Sequence, residues 1–222
     1  MKKILFIAPH PDDETLGCGG TILRHKVEGD EIYWLLVTCI LEEFGFTSEA
    51  VSFRKKEIET IAELYSFNSV YNLELPTTRL ESLPITDLIE KMSSVFRQIQ
   101  PEVIYLPYRG DIHTDHKVVF DAAVSCTKWF RYGSVKQILA YETLSETDFE
   151  INPESRGFRP NVFVDITLYL DKKIDIMKVY KNELGQFPFP RSPEAIRSLA
   201  LFRGAIAGCN AAEAFMLLKE IK

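Results

Sequence analysis

Three of the four histidines in this chain fall in two short acidic segments. The first is Pro9-His10-Pro11-Asp12-Asp13-Glu14, followed closely by Gly17-Cys18-Gly19-Gly20, and the second is Asp111-Ile112-His113-Thr114-Asp115-His116. Three consecutive carboxylates repel one another, and bringing a second acidic cluster beside them raises that cost unless something positive is bound between. A divalent cation answers the demand. Histidine with carboxylate is a borderline ligand set that suits zinc, and three protein ligands with one open position is the catalytic arrangement. His113 and His116, three apart, share one face if a helix starts there. His10 and Asp13 converge if the chain turns tightly between them, which Pro11 assists.

Plainer roles exist for several of these residues. Acids after a strand also start helices, where the helix dipole favours them, and Glu14 fits that role as well as a catalytic one. His25, between Arg24 and Lys26, reads as structural. Cys18 reads as a small residue that lets a helix pack closely on a sheet, rather than as a nucleophile. Other catalytic templates fail: Ile22 stands where a dinucleotide fingerprint needs its last glycine, and neither a phosphate-binding G-x-x-x-x-G-K-[ST] loop nor a G-x-S-x-G elbow occurs.

The elements that must carry these segments alternate. Short apolar runs predict strands near 3–8, 32–38, 69–73, 103–107, 137–141 and 161–166. Helical periodicity predicts helices near 18–28, 49–65, 86–99, 115–128, 168–181 and 193–219. Ile4-Leu5-Phe6-Ile7 and Val103-Ile104-Tyr105-Leu106 are apolar at every position, as expected when both faces of a sheet are covered. The expected fold is therefore α/β, Rossmann-like, with a mainly parallel sheet flanked by helices on both faces, forming one domain over 1–222 with a helical C-terminal portion from about 168. Ligands in such sheets sit beyond the carboxyl ends of the strands, where both histidine segments emerge. The loops at 152–161 and 187–193 could border that crevice.

Composition narrows the class. The 222 residues carry a net charge of −6, which argues against a nucleic-acid partner, and 15 Phe and 9 Tyr exclude disorder over most of the chain. The apolar run after Lys2-Lys3 is shorter than the about 7–15 residues of a signal-peptide core. The longest apolar stretch, Tyr33 to Leu41, is about half of the roughly 20 residues a transmembrane helix needs. Cys18, Cys39, Cys126 and Cys209 are scattered, which fits a reducing cytoplasm.

At Ala8-Pro9-His10-Pro11-Asp12-Asp13-Glu14 and His113-Thr114-Asp115-His116 the chain closely resembles the LmbE-like, or PIG-L-like, family of metal-dependent N-acetylglucosaminyl de-N-acetylases. Weaker echoes are Arg54 with Glu57, Val164-Asp165-Ile166, Arg203-Gly204 and Ala212-Glu213-Ala214-Phe215. The resemblance implies one zinc per chain, or another divalent metal, held by His10, Asp13 and His116, with Asp12 as general base. It further implies that His113 stabilises the oxyanion or protonates the leaving amine, oriented by Asp115, and that Arg54 contacts substrate. Pairing with Asp115 would favour the imidazolium form of His113.

The implied reaction is removal of acetyl from an N-acetylated amino sugar or its conjugate, the partner being a small-molecule acetamido sugar or glycoconjugate. A homo-oligomer is compatible with the sequence. Two alternatives stay open: a metal-dependent phosphoesterase, which in its two-metal form needs more bridging carboxylates, and a catalytically silent sugar- or metal-binding module.

Overall fold

The computed structural model describes residues 1–151 and 157–222. In chain order the elements are β1 (Lys3–Ala8), α1 (Asp13–Val27), β2 (Glu31–Cys39), α2 (Ser48–Tyr65), β3 (Ser69–Pro76), α3 (Ile85–Ile99), β4 (Val103–Pro107), α4 (Thr114–Ser125), β5 (Gln137–Tyr141), β6 (Val162–Asp165), α5 (Leu170–Met177), α6 (Pro193–Ala207) and β7 (Ala212–Glu220). Among the described residues the strands form one sheet in the order β3-β2-β1-β4-β5-β7-β6. Pairing is parallel from β3 to β5, and β7 runs antiparallel to both β5 and β6.

Successive side chains of a strand face opposite sides, so a strand that is apolar throughout must be covered on both. In β1, Ile4, Phe6 and Ala8 enter one core with α1, α2, α5 and α6, while Leu5 and Ile7 enter the other with α3 and α4. The expected two-faced α/β sheet is thus the one observed. Because β1 pairs with β2 on one side and β4 on the other, its carboxyl end is the switch point where a crevice opens.

Two expectations need correcting. The first helix begins at Asp13 rather than near 18, so Asp13 and Glu14 occupy its first turn. The stretch 193–219 is not one helix: α6 stops at Ala207, Gly208 takes a left-handed conformation (φ 76°) as its cap, and the chain returns as β7. The expected helical portion from about 168 therefore contains a strand. Its residues, Ala-Glu-Ala-Phe-Met-Leu-Leu-Lys-Glu, are mostly helix formers. A vacant place between β5 and β6, with ladder bonds on both sides, outweighs that preference. Of the loop expected at 152–161, residues 152–156 lie outside the described residues.

Buried charge ties these late elements to α1. Lys173 Nζ on α5 donates to Glu213 Oε1 on β7 (2.6 Å) and to the Leu16 carbonyl (2.7 Å). Glu213 also accepts from the Gly20 amide (2.9 Å) and the Thr21 amide (2.7 Å). Arg203 on α6 grips Glu142, just after β5, through Nε (2.8 Å) and Nη2 (2.5 Å). Glu213 and Arg203, which carried part of the family resemblance, hold the fold together rather than line the crevice.

The glycine cluster of α1 allows close packing, as its composition suggests. A Cβ on Gly17 would lie 2.2 Å from Tyr141 Cδ2, and one on Gly20 would lie 2.5 Å from Ile166 Cγ2. Gly17→Ala should lower unfolding free energy by about 1–3 kcal/mol through overpacking, despite alanine's better helix propensity. Urea titration measures this, and an unchanged midpoint would show that Tyr141 moves aside freely.

Candidate metal centre

The site forms where the loop leaving β1 meets the loop leaving β4. After β1, the Pro9 carbonyl is fixed by the Thr38 amide (3.0 Å) and hydroxyl (2.8 Å) of β2. The chain then turns so sharply that the His10 amide donates to Asp13 Oδ2 (2.8 Å). Asp12 sits at the position before α1 with φ 134°, a backbone conformation L-residues rarely adopt. Such strain persists where its surroundings over-determine it. Here the Asp12 amide donates to Glu14 Oε2 (3.2 Å) and its carboxylate accepts from Arg191 Nη1 (2.8 Å). Glu14 also accepts from the Thr15 (2.6 Å) and Tyr180 (2.9 Å) hydroxyls, so its role is the structural one.

Asp13 Oδ2 lies 3.2 Å from His10 Nδ1 and 3.2 Å from His116 Nε2, and the ligand atoms of His10, Asp13 and His116 are all within 4.8 Å of one another. The outer atom of each ring is occupied. His116 Nδ1 lies 2.7 Å from Asp111 Oδ2, and His10 Nε2 lies 3.0 Å from Asp115 Oδ2. Asp115 is held in turn by the Thr78 (2.7 Å) and Leu80 (3.1 Å) amides. With Nδ1 donating to Asp111, His116 turns Nε2 inward, where a neutral ring would present its lone pair to a cation. That atom is fully buried and makes no hydrogen bond. Imidazoles backed by carboxylates, with lone pairs converging on a third carboxylate, fit a metal centre.

The electrostatics agree. Burial opposes charge on His116 and His10, yet Asp13 and Asp111 hold the first well above its ordinary value, and Asp115 with Asp13 raises the second to about 9. Burial likewise works against ionised Asp13, but His116 and His10 keep its carboxyl far below the usual range. The cluster demands positive charge, which protons or a metal cation can supply. Asp12 moves the other way: burial, then Asp13 and Glu183, raise it well above its ordinary value, with Arg191 opposing.

His113 differs from the sequence expectation. Its partner is the Asp115 backbone amide, which donates to Nδ1 (3.1 Å), while the Asp115 side chain turns to His10. Burial, then the neighbouring rings of His10 and His116, lower its pKa to about 4. The ring is therefore neutral near pH 7, and with Nδ1 accepting, its proton resides on Nε2.

His10, Asp12, Asp13, His113 and Arg54 line a cleft of about 190 Å³, with Thr38, Cys39 and Ile40 on the β2 side and Thr143 to Glu146 on the β5 side. Arg54 both lines the cleft and pairs with Glu57 (3.4 Å), and it also meets Glu183 and the Pro11 carbonyl (3.4 Å). Glu183 and Arg191 gave no signal in the sequence because isolated charges in a loop carry no pattern, although the Pro-rich 187–193 segment does border the site as expected. Asp111 was signalled by its place in the second acidic segment. Cys18 is buried away from the cleft. His25 is engaged at both nitrogens, by Asp30 (2.9 Å) and the Tyr105 hydroxyl (3.1 Å), so it is structural, as expected.

Residues 5–127 match the family described as PIG-L, GlcNAc-PI de-N-acetylase. The chain belongs to the PIG-L family. A diacetylchitobiose deacetylase of Thermococcus kodakarensis is 25% identical over 100% of this chain and 85% of its own length. The solved structure of the N,N'-diacetylchitobiose deacetylase from Pyrococcus horikoshii superposes with a TM-score of 0.79 at 23% identity, covering 98% of this chain and 84% of that one. The PIG-L fold is not confined to deacetylases: GalB, the 4-carboxy-2-hydroxymuconate hydratase of Pseudomonas putida KT2440, superposes with a TM-score of 0.77 at 20% identity over 100% of this chain and 98% of that one.

Replacing Asp111 by Ala removes the acceptor that sets the His116 tautomer. Chelator-competition titration should show a loss of about 10–100-fold in divalent-metal affinity, and equal affinity in both proteins would remove Asp111 from the centre.

Proposed function

We propose that this PIG-L family member is a zinc-dependent hydrolase that removes acetyl from an N-acetylated amino sugar or its conjugate, releasing acetate and a free amine. The observation that carries this reading is the unpartnered His116 Nε2 facing Asp13 and His10, with the ionisable Asp12 beside them in an open cleft. Three nitrogen and oxygen donors with room for a fourth ligand suit zinc. The relatives named as deacetylases support the acyl substrate. The free thiols favour a reducing cytoplasm, and no helix among the described residues is long and apolar enough to cross a membrane.

His10, Asp13 and His116 would hold a divalent ion, which would supply Lewis acidity toward a water and an acyl oxygen. The rest falls to the chain. Asp12, raised in basicity by burial and fixed by Arg191, takes a proton from the attacking water and returns it to the departing nitrogen. Neutral His113 donates from Nε2 to the oxygen that gains negative charge; an uncharged imidazole can fill that role because its donor is fixed before reaction. Asp115 orients His10 rather than His113. Arg54, held by Glu57 and Glu183, presents its remaining donors to substrate hydroxyls.

Protein purified without chelator should contain about one zinc per chain, and acetate release should be measurable across a panel of acetamido sugars and their conjugates. Asp12→Asn should keep the metal and lose about 10²–10⁴-fold in kcat; a rate near wild type would remove it from the mechanism. His113→Ala should lower kcat with metal content unchanged, whereas equal loss of both would recast it as a ligand. A zinc-loaded protein silent on the whole panel would overturn the deacetylase reading.

A further inference from the structure

Four carboxylates line the cleft: Asp12, Asp13, Glu146 and Glu183. Three have strong partners. Asp12 and Glu183 share Arg191, Glu183 also meets Arg54, and Asp13 lies between His10 and His116. Among the described residues Glu146 has no cation within ion-pair distance, although His116 and Arg191 act on it from further away, and a long contact from the Ser145 hydroxyl (3.4 Å) is its only side-chain hydrogen bond.

Its backbone, by contrast, is firmly placed. The Glu146 amide donates to the Thr143 carbonyl (3.1 Å), and the Ile112 amide donates to the Glu146 carbonyl (3.2 Å). The next residue, Thr147, donates through its hydroxyl to Asp111 Oδ1 (2.7 Å), the carboxylate whose other oxygen holds His116. The position of Glu146 is thus referenced to the metal centre by two hydrogen-bonded steps. It follows β5, on the far side of the β1–β4 switch point from Arg54, which belongs to the helix after β2. A substrate held at the centre between these two walls meets paired arginines at one end and a carboxylate without an ion pair at the other.

Resting on the deacetylase reading of the cleft, we propose that Glu146 is a specificity residue: it accepts hydrogen bonds from hydroxyl or ammonium groups of the sugar and rejects anionic substituents. The favoured substrates are accordingly neutral or cationic amino-sugar conjugates. Hydrogen bonds to an ionised acceptor are short and strong. A phosphate or carboxylate at the same place would meet the repulsion of a carboxylate that makes no ion pair, and specificity gains as much from such a penalty as from attraction.

The test compares the zinc-loaded wild type with Glu146→Gln and Glu146→Asp. Calorimetry reads binding of glucosamine, N-acetylglucosamine and N-acetylglucosamine 6-phosphate, and an acetate assay gives kcat and KM for the last two. Losing a charge-assisted acceptor should weaken glucosamine binding by about 10–100-fold in Glu146→Gln. Binding of the 6-phosphate should tighten, KM for N-acetylglucosamine should rise with kcat little changed, and Glu146→Asp should recover part of the preference. Metal content and melting temperature should match wild type. The same preference order in all three proteins, or binding of none of the probes by wild type, would overturn the proposal. Binding without acetate release would sink the deacetylase reading alone, because the calorimetric comparison still judges Glu146.

Discussion

One carboxylate, Asp13, shared between two imidazoles whose loops lie about a hundred residues apart, is the interaction the site depends on. It can form only if β1 and β4 are neighbours, parallel and in register, so that both loops leave the same edge of the sheet. The adjacency comes from the apolar cores on either side, not from the polar cluster itself. Burying ionisable groups this deeply is unfavourable unless each is paired. The fold therefore brings Asp13, Asp111 and Asp115 together only with His10 and His116 interleaved among them, and the resulting field favours a bound positive charge.

Holding that geometry requires a rigid start to α1, and much of the remaining polar interior serves it. Glu14 accepts from Thr15 and Tyr180, and the Tyr65 hydroxyl reaches Thr15 (3.1 Å). One turn further on, Glu213 and Lys173 clamp Gly20, Thr21 and the Leu16 carbonyl. A buried ion pair gains little net stability over apolar packing, since desolvation opposes the Coulomb attraction. What it gives here is register: α5 and β7 cannot slide against α1 without leaving a buried charge unpaired. The strained backbone at Asp12 is braced from both directions, by Glu14 below and Arg191 above.

Much of this was legible in the chain itself, for identifiable reasons. The sheet showed because β4 and Ile4 to Ala8 of β1 are apolar at every position, whereas a strand covered on one face alone alternates apolar with polar. The histidine–carboxylate cluster showed because acids and histidines crowd two short segments at strand ends. The strand β7 did not show, because Ala, Glu, Leu, Met and Lys favour helix and only the place offered by β5 and β6 decides otherwise. Arg191 and Glu183 become meaningful only when the loop before α6 folds over α1. Arg54 combines a pair along its own helix with a place in the cleft, since one guanidinium meets Glu57 and still lines the cleft.

The three histidines show why proximity in sequence is a poor guide to a residue's chemistry. His113 and Asp115 are two apart, which invites a side-chain pair, yet at a helix start the favourable contact is from a side-chain acceptor to a backbone amide. His113 makes that contact through Nδ1. The Asp115 carboxylate is thereby left for a ring 105 residues away, His10. Because the outer partners of His10 and His116 are carboxylates, each ring donates outward and turns its other nitrogen toward Asp13. Because the partner of His113 is an N–H, its ring accepts there and turns a proton toward the cleft. Identical side chains with ring centres 4.4 to 5.5 Å apart are thus divided by their second partners alone: two turn a ring nitrogen toward Asp13 and one turns a donor toward the cleft.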